Sequence, residues 1–215
     1  MLRYLFLVLQ KKSYIKMNKI DFEYSKLGDL ILISNIVLPI CLYKNLKPNE
    51  LIVYKLYLLY QKKCWRCSCS SFSSVSGLTR KTIRKNNDVL IGEGYITSHN
   101  KIDKSVKKMM EEAYKNELVY SPYFLFQGDL LPSESEVIDV ILYLFEKKEG
   151  LLVTKDILQY VRISERQVKD ILKKLKSKNL ICGKRGFYPN VTELISLSKK
   201  IAALKNNKNN EDDGK

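Results

Sequence analysis

Two stretches of the chain gather cationic and amide-bearing side chains at helical spacing, a pattern suited to a polyanionic partner. In the later one Val168, Leu172 and Leu175 recur at the interval of a buried helix face. That leaves Arg166, Gln167, Lys169, Lys173 and Lys174 toward solvent. Lysine and arginine displace condensed counterions from phosphates, while Arg166 and Gln167 carry donors able to distinguish base edges. The earlier stretch, Phe72 to Ile96, has the same plan: a short helix, a tight turn and a basic helix closing on an apolar pair. The later copy runs from Lys155 to Leu180 and Ile181.

Other chemistries have less to work with. Cys64, Cys67 and Cys69 lie close enough to offer thiolates to zinc or to redox exchange. A zinc site needs a fourth ligand, and Cys41, Cys182 and His99 stand at no recognised spacing. The preferred reading is a β-turn or hairpin with Trp65 packed over it and the cysteines acting as small apolar residues. With His99 as the lone histidine, no phosphate-loop signature and scattered carboxylates next to lysines and arginines, no enzyme is expected and no cofactor is implied.

The basic helices need caps and supports. Thr79 and Ser164 stand where each should begin, and Ser164 with Gln167 forms a capping box. Pro48 suits the first turn of a helix carrying Leu51, Tyr54, Leu58 and Leu59 beneath the first unit. Ser133 with Glu136 reads as a capping box opening a second support helix with Val137, Ile141, Leu144 and Phe145. Beyond each basic helix lies material for a β-hairpin. In the first unit Tyr95 to Ser98 and Ile102 flank His99, Asn100 and Lys101. In the second, Leu180 to Cys182 and Phe187 to Tyr188 flank Gly183, Lys184, Arg185 and Gly186. Asn86 and Asn87 fall at core positions and Gly92 near the helix end, so the first basic helix is expected to be short or loosely packed. Asn179 takes the helix-ending place of a glycine, which its tolerance of the left-handed conformation permits.

Both stretches resemble winged helix-turn-helix modules of bacterial, plasmid and phage DNA-binding proteins. The resemblance covers roughly half the chain. It implies a reading helix in the major groove and a wing on the backbone or minor groove. The contacts it implies are Thr79, Arg80, Lys81, Thr82, Arg84, Lys85, Asn100 and Lys101 in the first module. In the second they are Ser164, Glu165, Arg166, Gln167, Lys169, Lys173, Lys184 and Arg185. The order of Leu30 to Ile96 is also similar to the amino-terminal domain of replication initiators from Gram-positive plasmids. The expected class is mainly α with small β-wings (α+β), containing two such modules.

The expected organisation is an N-terminal extension and approach segment of short strands or turns (1–46), a first module (47–105), a helical linker (106–133), a second module (134–188), and a C-terminal helix with a disordered tail (189–215). Leu30 to Tyr43 reads as a buried strand and turn. Met17 opens a more ordinary sequence and is an alternative start. Leu194, Leu197, Ile201 and Leu204 recur at helical spacing and suit either a homodimer or docking on the second module.

With 38 Lys and Arg against 23 Asp and Glu, the net charge is +15, which favours a polyanion without naming it, since anionic lipid would also serve. An apolar share of 45% is enough for packed cores. Five cysteines without a secretory signal suit a reducing, cytoplasmic setting, and no stretch approaches the roughly 20 apolar residues of a membrane span. Three roles remain: a transcriptional regulator, a plasmid or phage replication initiator recruiting host proteins, and a protein-interaction module. The first is preferred, with double-stranded DNA as the partner.

Overall fold

The computed structural model describes residues 19–32, 36–63, 67–99, 101–113, 115, 117–122, 130–148 and 150–199. Asn100, Cys64, Trp65, Met17, Ile201, Leu204 and the tail therefore lie outside the described residues. The chain is mainly helical with small antiparallel two-stranded sheets.

Helix α1 (Lys19–Leu32) leads to strand β1 (Ile36–Pro39), short α2 (Cys41–Asn45) and α3 (Pro48–Lys62). Next come α4 (Cys69–Ser76), α5 (Arg80–Gly92) and α6 (Lys104–Ala113), then β2 (Leu118–Ser121). The second half holds α7 (Pro132–Lys148), α8 (Thr154–Leu158), α9 (Glu165–Ser177), β3 (Ile181–Cys182) and β4 (Tyr188–Pro189). A last helix, α10, covers 191–199.

The supports form as their patterns require. Pro48 opens α3, and the Glu50 carboxylate accepts the Lys47 backbone N–H at 2.7 Å. Leu51 and Tyr54 are buried, as are Val137, Ile141, Leu144 and Phe145 on α7. The cap of α7 differs from expectation. Its first residue is Pro132, and Glu134, three positions after Leu131, accepts the Leu131 N–H at 3.2 Å. Glu136 turns into the core and is fully buried, which rules out a box with Ser133.

The approach segment departs further. A helix covers Lys19–Leu32, because Leu27 and Leu30 share a buried face against α7 and the Glu23 carboxylate accepts the Thr192 N–H at 2.9 Å. Among the described residues of 30–43, Ile36–Pro39 is a strand, while 30–32 closes α1 and Cys41–Asn45 is helical. Nor is 106–133 simply a helix and linker. Its Leu118–Ser121 pairs antiparallel with Ile36–Pro39, Ile36 facing Ser121 and Pro39 facing Leu118. A pattern of buried and exposed residues this short reads as loop until its partner strand is known.

The two halves share a core. Helix α3 packs on α7, and Asp139 of α7 meets the Lys55 ammonium of α3 in a fully buried ion pair. The same Oδ2 accepts the Tyr43 hydroxyl of α2 at 3.0 Å and the Ser121 hydroxyl of β2 at 2.9 Å. Burial pushes the Asp139 carboxyl up, and the Lys55 ammonium and these hydrogen bonds pull it down. Beside it burial raises Glu136 to about 8 against the pull of Lys55.

Helix α10 docks on its own chain. Val191 and Leu194 are completely buried and Leu197 packs against the core, so those residues are already committed. No helix among the described residues is long and apolar enough to cross a membrane.

Candidate nucleic-acid interface

Each basic helix follows a tight turn. In the first unit α4 ends at Gly77, whose φ of +71° makes the left-handed cap, and Thr79 then accepts the Thr82 N–H at 3.1 Å to start α5. In the second, Ser164 accepts the Gln167 N–H at 3.3 Å, while Gln167 Oε1 takes the Ser164 N–H at 3.0 Å. The capping box is therefore closed.

The helices end alike. Gly94 has φ +77° and Asn179 φ +57°, and each is followed by an amide that reaches back along the helix. Tyr95 N–H donates to Leu90 O at 2.9 Å, and Leu180 N–H to Leu175 O at 2.9 Å. These closures satisfy last-turn carbonyls that otherwise lack partners. Helix α5 is as long as α9, 13 residues, so the expected shortening does not occur. Asn86 is accommodated because its amide donates to Thr82 O at 2.7 Å, and Asn87 reaches Cys69 Sγ at 3.9 Å.

A hairpin follows each helix. The first is minimal: Ile96 bridges Ile102, and Thr97 N–H donates to Lys101 O at 2.7 Å. In the second, β3 pairs with β4 and Leu152 bridges Phe187. Gly183 is needed at its tip, since at φ +115° an added Cβ would stand 2.2 Å from Gly186 O. The turn leaves Lys184 and Arg185 exposed.

The expected contact residues fall into distinct settings. Lys169, Lys173, Lys184 and Arg185 line one cleft between α9 and the second hairpin, about 330 Å³, with Lys176 as an additional cation. Arg166 and Glu165 share a second depression with Lys169 and Lys173 on the outer face of α9. Lys81, Thr82 and Lys85 instead line a groove between the halves, which Gln167 also borders. Arg84 is exposed, and Arg80 donates to the Ser70 hydroxyl at 3.1 Å. Lys101 is exposed at the first hairpin.

Several of these side chains are already engaged. Lys169 pairs with Glu165 at 2.7 Å, and Lys173 with Asp170 at 3.8 Å. The Glu165 carboxyl is held below its usual range by the Lys169 ammonium. Gln167 has its amide oxygen in the cap, which leaves its NH₂ as the group facing outward. A bidentate contact to adenine needs both, so the base-edge role expected of Gln167 reduces to donation. Thr79 and Ser164 likewise serve as caps.

Lys47, Arg162 and Lys176 were not among the expected contacts. Lys176 follows Lys173 by three positions, a signal on the same helix face. Lys47 and Arg162 lie in connecting turns, where only the assembled fold brings them to the groove. Among the described residues no cluster of three His, Cys, Asp or Glu is placed to hold a metal ion. Cys67 is half-buried, burial pushes its thiol up, and Cys69 begins a helix instead of a hairpin.

No protein-family model matches the chain, nor does any curated protein or solved structure.

Proposed function

We propose that this chain is a sequence-specific double-stranded DNA-binding protein with two winged helix-turn-helix modules, acting as a transcriptional regulator of bacterial, plasmid or phage type. The observation that carries this reading is the second unit. A capped helix buries Val168, Leu172 and Leu175 and presents Arg166, Lys169 and Lys173 outward, beside a hairpin tipped by Lys184 and Arg185. A cationic helix and hairpin tip flanking one cleft suit a phosphate backbone. The first unit repeats the helix, with Arg80, Lys81, Arg84 and Lys85 beside a smaller hairpin.

The initiator alternative draws on the common core of the two units, which suits a long composite site. Direct repeats as the bound sites would favour initiation, and an inverted repeat over a promoter would favour regulation.

The test is binding across a salt series to DNA flanking the gene and to a scrambled duplex, with Arg84→Ala and Arg166→Ala alongside. The expected outcome is preference for the flanking DNA, weakened by Arg166→Ala by about 1–3 kcal/mol. Absence of binding at low salt would refute the reading and point to an acidic protein partner.

A further inference from the structure

A groove of about 830 Å³ runs between the two units, bordered by α5 on one side and by the α8–α9 turn on the other. Lys81 and Lys85 reach it from the first unit, Arg162 from the second and Lys47 from the turn before α3. Arg162 Nη1 donates to Asn45 O at 2.7 Å, which fixes the guanidinium and leaves its remaining donors available. Among the described residues no carboxylate lies within ion-pair distance of Lys81, Lys85 or Arg162. The one acid among the described residues of the lining, Glu50, is only 5% exposed and accepts the Lys47 N–H, with Lys47 Nζ 4.0 Å away. The outer face of α9 differs, because its Lys169 and Lys173 already have carboxylate neighbours.

Cations without carboxylate partners, converging from two units on one open groove, focus a positive potential that attracts an anion. We propose that this groove holds phosphates of a nucleic-acid backbone crossing from one unit to the other, with Lys81, Lys85 and Arg162 as its contacts. This rests on the DNA-binding reading above. It adds a site that belongs to neither unit alone, at which Arg162 acts through its fork and Lys81 and Lys85 as point charges. It also means that the spacing of the DNA bound by the two units is set by the protein.

The experiment is fluorescence anisotropy of the full chain with a labelled random-sequence duplex across a salt series, comparing Arg162→Gln, Lys85→Gln, Arg162→Lys and, as controls on the units' own faces, Arg84→Gln and Lys184→Gln. Arg162→Gln and Lys85→Gln are each expected to reduce the slope of log affinity against log salt by about 1. Arg162→Lys keeps the charge and is expected to keep the slope, which separates lost charge from a disturbed fold. If only the control variants lower the slope, DNA binding stands and the groove site is overturned. If the wild type binds no duplex, both fall. Titration with inorganic phosphate is the last arm: phosphate binding abolished by Arg162→Gln, with the duplex slope unmoved, would assign the groove to a free anion and overturn the proposal.

Discussion

From the turn helix onward the two units correspond at one constant separation in sequence. Phe72 matches Ile157, Thr79 matches Ser164, Leu90 matches Leu175, Gly94 matches Asn179 and Ile102 matches Phe187. The starts of the support helices are one residue closer, at 84 positions, the separation of Pro48 from Pro132 and also of Lys55 from Asp139. Counted from those prolines, the buried ion pair joins the same place on two copies of one helix. What differs is the filling. Where α9 buries Ile171 and Leu172, α5 buries Asn86 and Asn87, and where α9 carries Glu165 and Asp170 on its surface, α5 carries Arg80 and Lys85. The first unit has the less apolar core and the less compensated surface. Backbone closures survive such changes because they depend on capping residues and left-handed positions, not on the side chains between them.

The largest expected effect tests whether the units share one core. Removing Asp139 leaves the Lys55 ammonium buried without its carboxylate, and breaking a buried pair from one side costs about 3–5 kcal/mol. Asp139→Ala should lower stability by that amount in urea denaturation, with Asp139→Asn less severe. Amide exchange should accelerate in α5 and α9 together. Acceleration confined to α9 would make the units independent and break the comparison at its base.

A smaller effect separates the two cores. Leu172→Ala removes a buried aliphatic side chain and should cost about 2–4 kcal/mol. At the matching position Asn87→Ala removes an amide that reaches Cys69 Sγ at 3.9 Å and hydrogen-bonds the Tyr57 side chain, and a loss near 1 kcal/mol is expected. Equal losses would show that the polar pair packs as well as the aliphatic one.

The legible parts of this fold were those governed by short-range rules. Thr79, Ser164, Asn179 and Pro48 act locally, and each occupies the place its chemistry suggests. The parts that were not legible depend on distant partners. Strand β2 exists because β1 lies beside it, α1 because α7 and Thr192 receive it, and Glu136 is buried although its spacing from Ser133 imitates a cap. The candidate interface divides the same way. Arg166, Lys169 and Lys173 follow from helical periodicity, but Arg162 belongs to no sequence pattern and gains its place only when Asn45 and the groove are assembled.

Glu136 supplies a pH test of the second unit, since the first support helix has only aliphatic side chains at that level. Its carboxyl lies near 8 in the fold against an ordinary 4.5, through burial that outweighs the attraction of Lys55. A raised carboxyl pKa contributes stability that is complete below about 4.5 and is lost as pH rises through 8. Glu136→Gln should therefore flatten the fall in stability over that window, which for one retained proton is at most about 1.4 kcal/mol per pH unit. An unchanged pH profile would mean that Glu136 titrates normally.

The smallest effect asks whether the two helix endings are interchangeable. Gly94 sits at φ +77° with open space where a Cβ would go, and Asn179 performs the same reversal at φ +57°. Asparagine tolerates this conformation because its short amide bonds locally, whereas a β-branched side chain crowds the backbone. Gly94→Asn should change stability by less than about 0.5 kcal/mol, and Gly94→Val should lose about 1–2 kcal/mol. Thermal melts of the two variants read the difference directly. A large loss with asparagine would mean that the first ending needs glycine for more than its φ, and that the two units close their helices by different means.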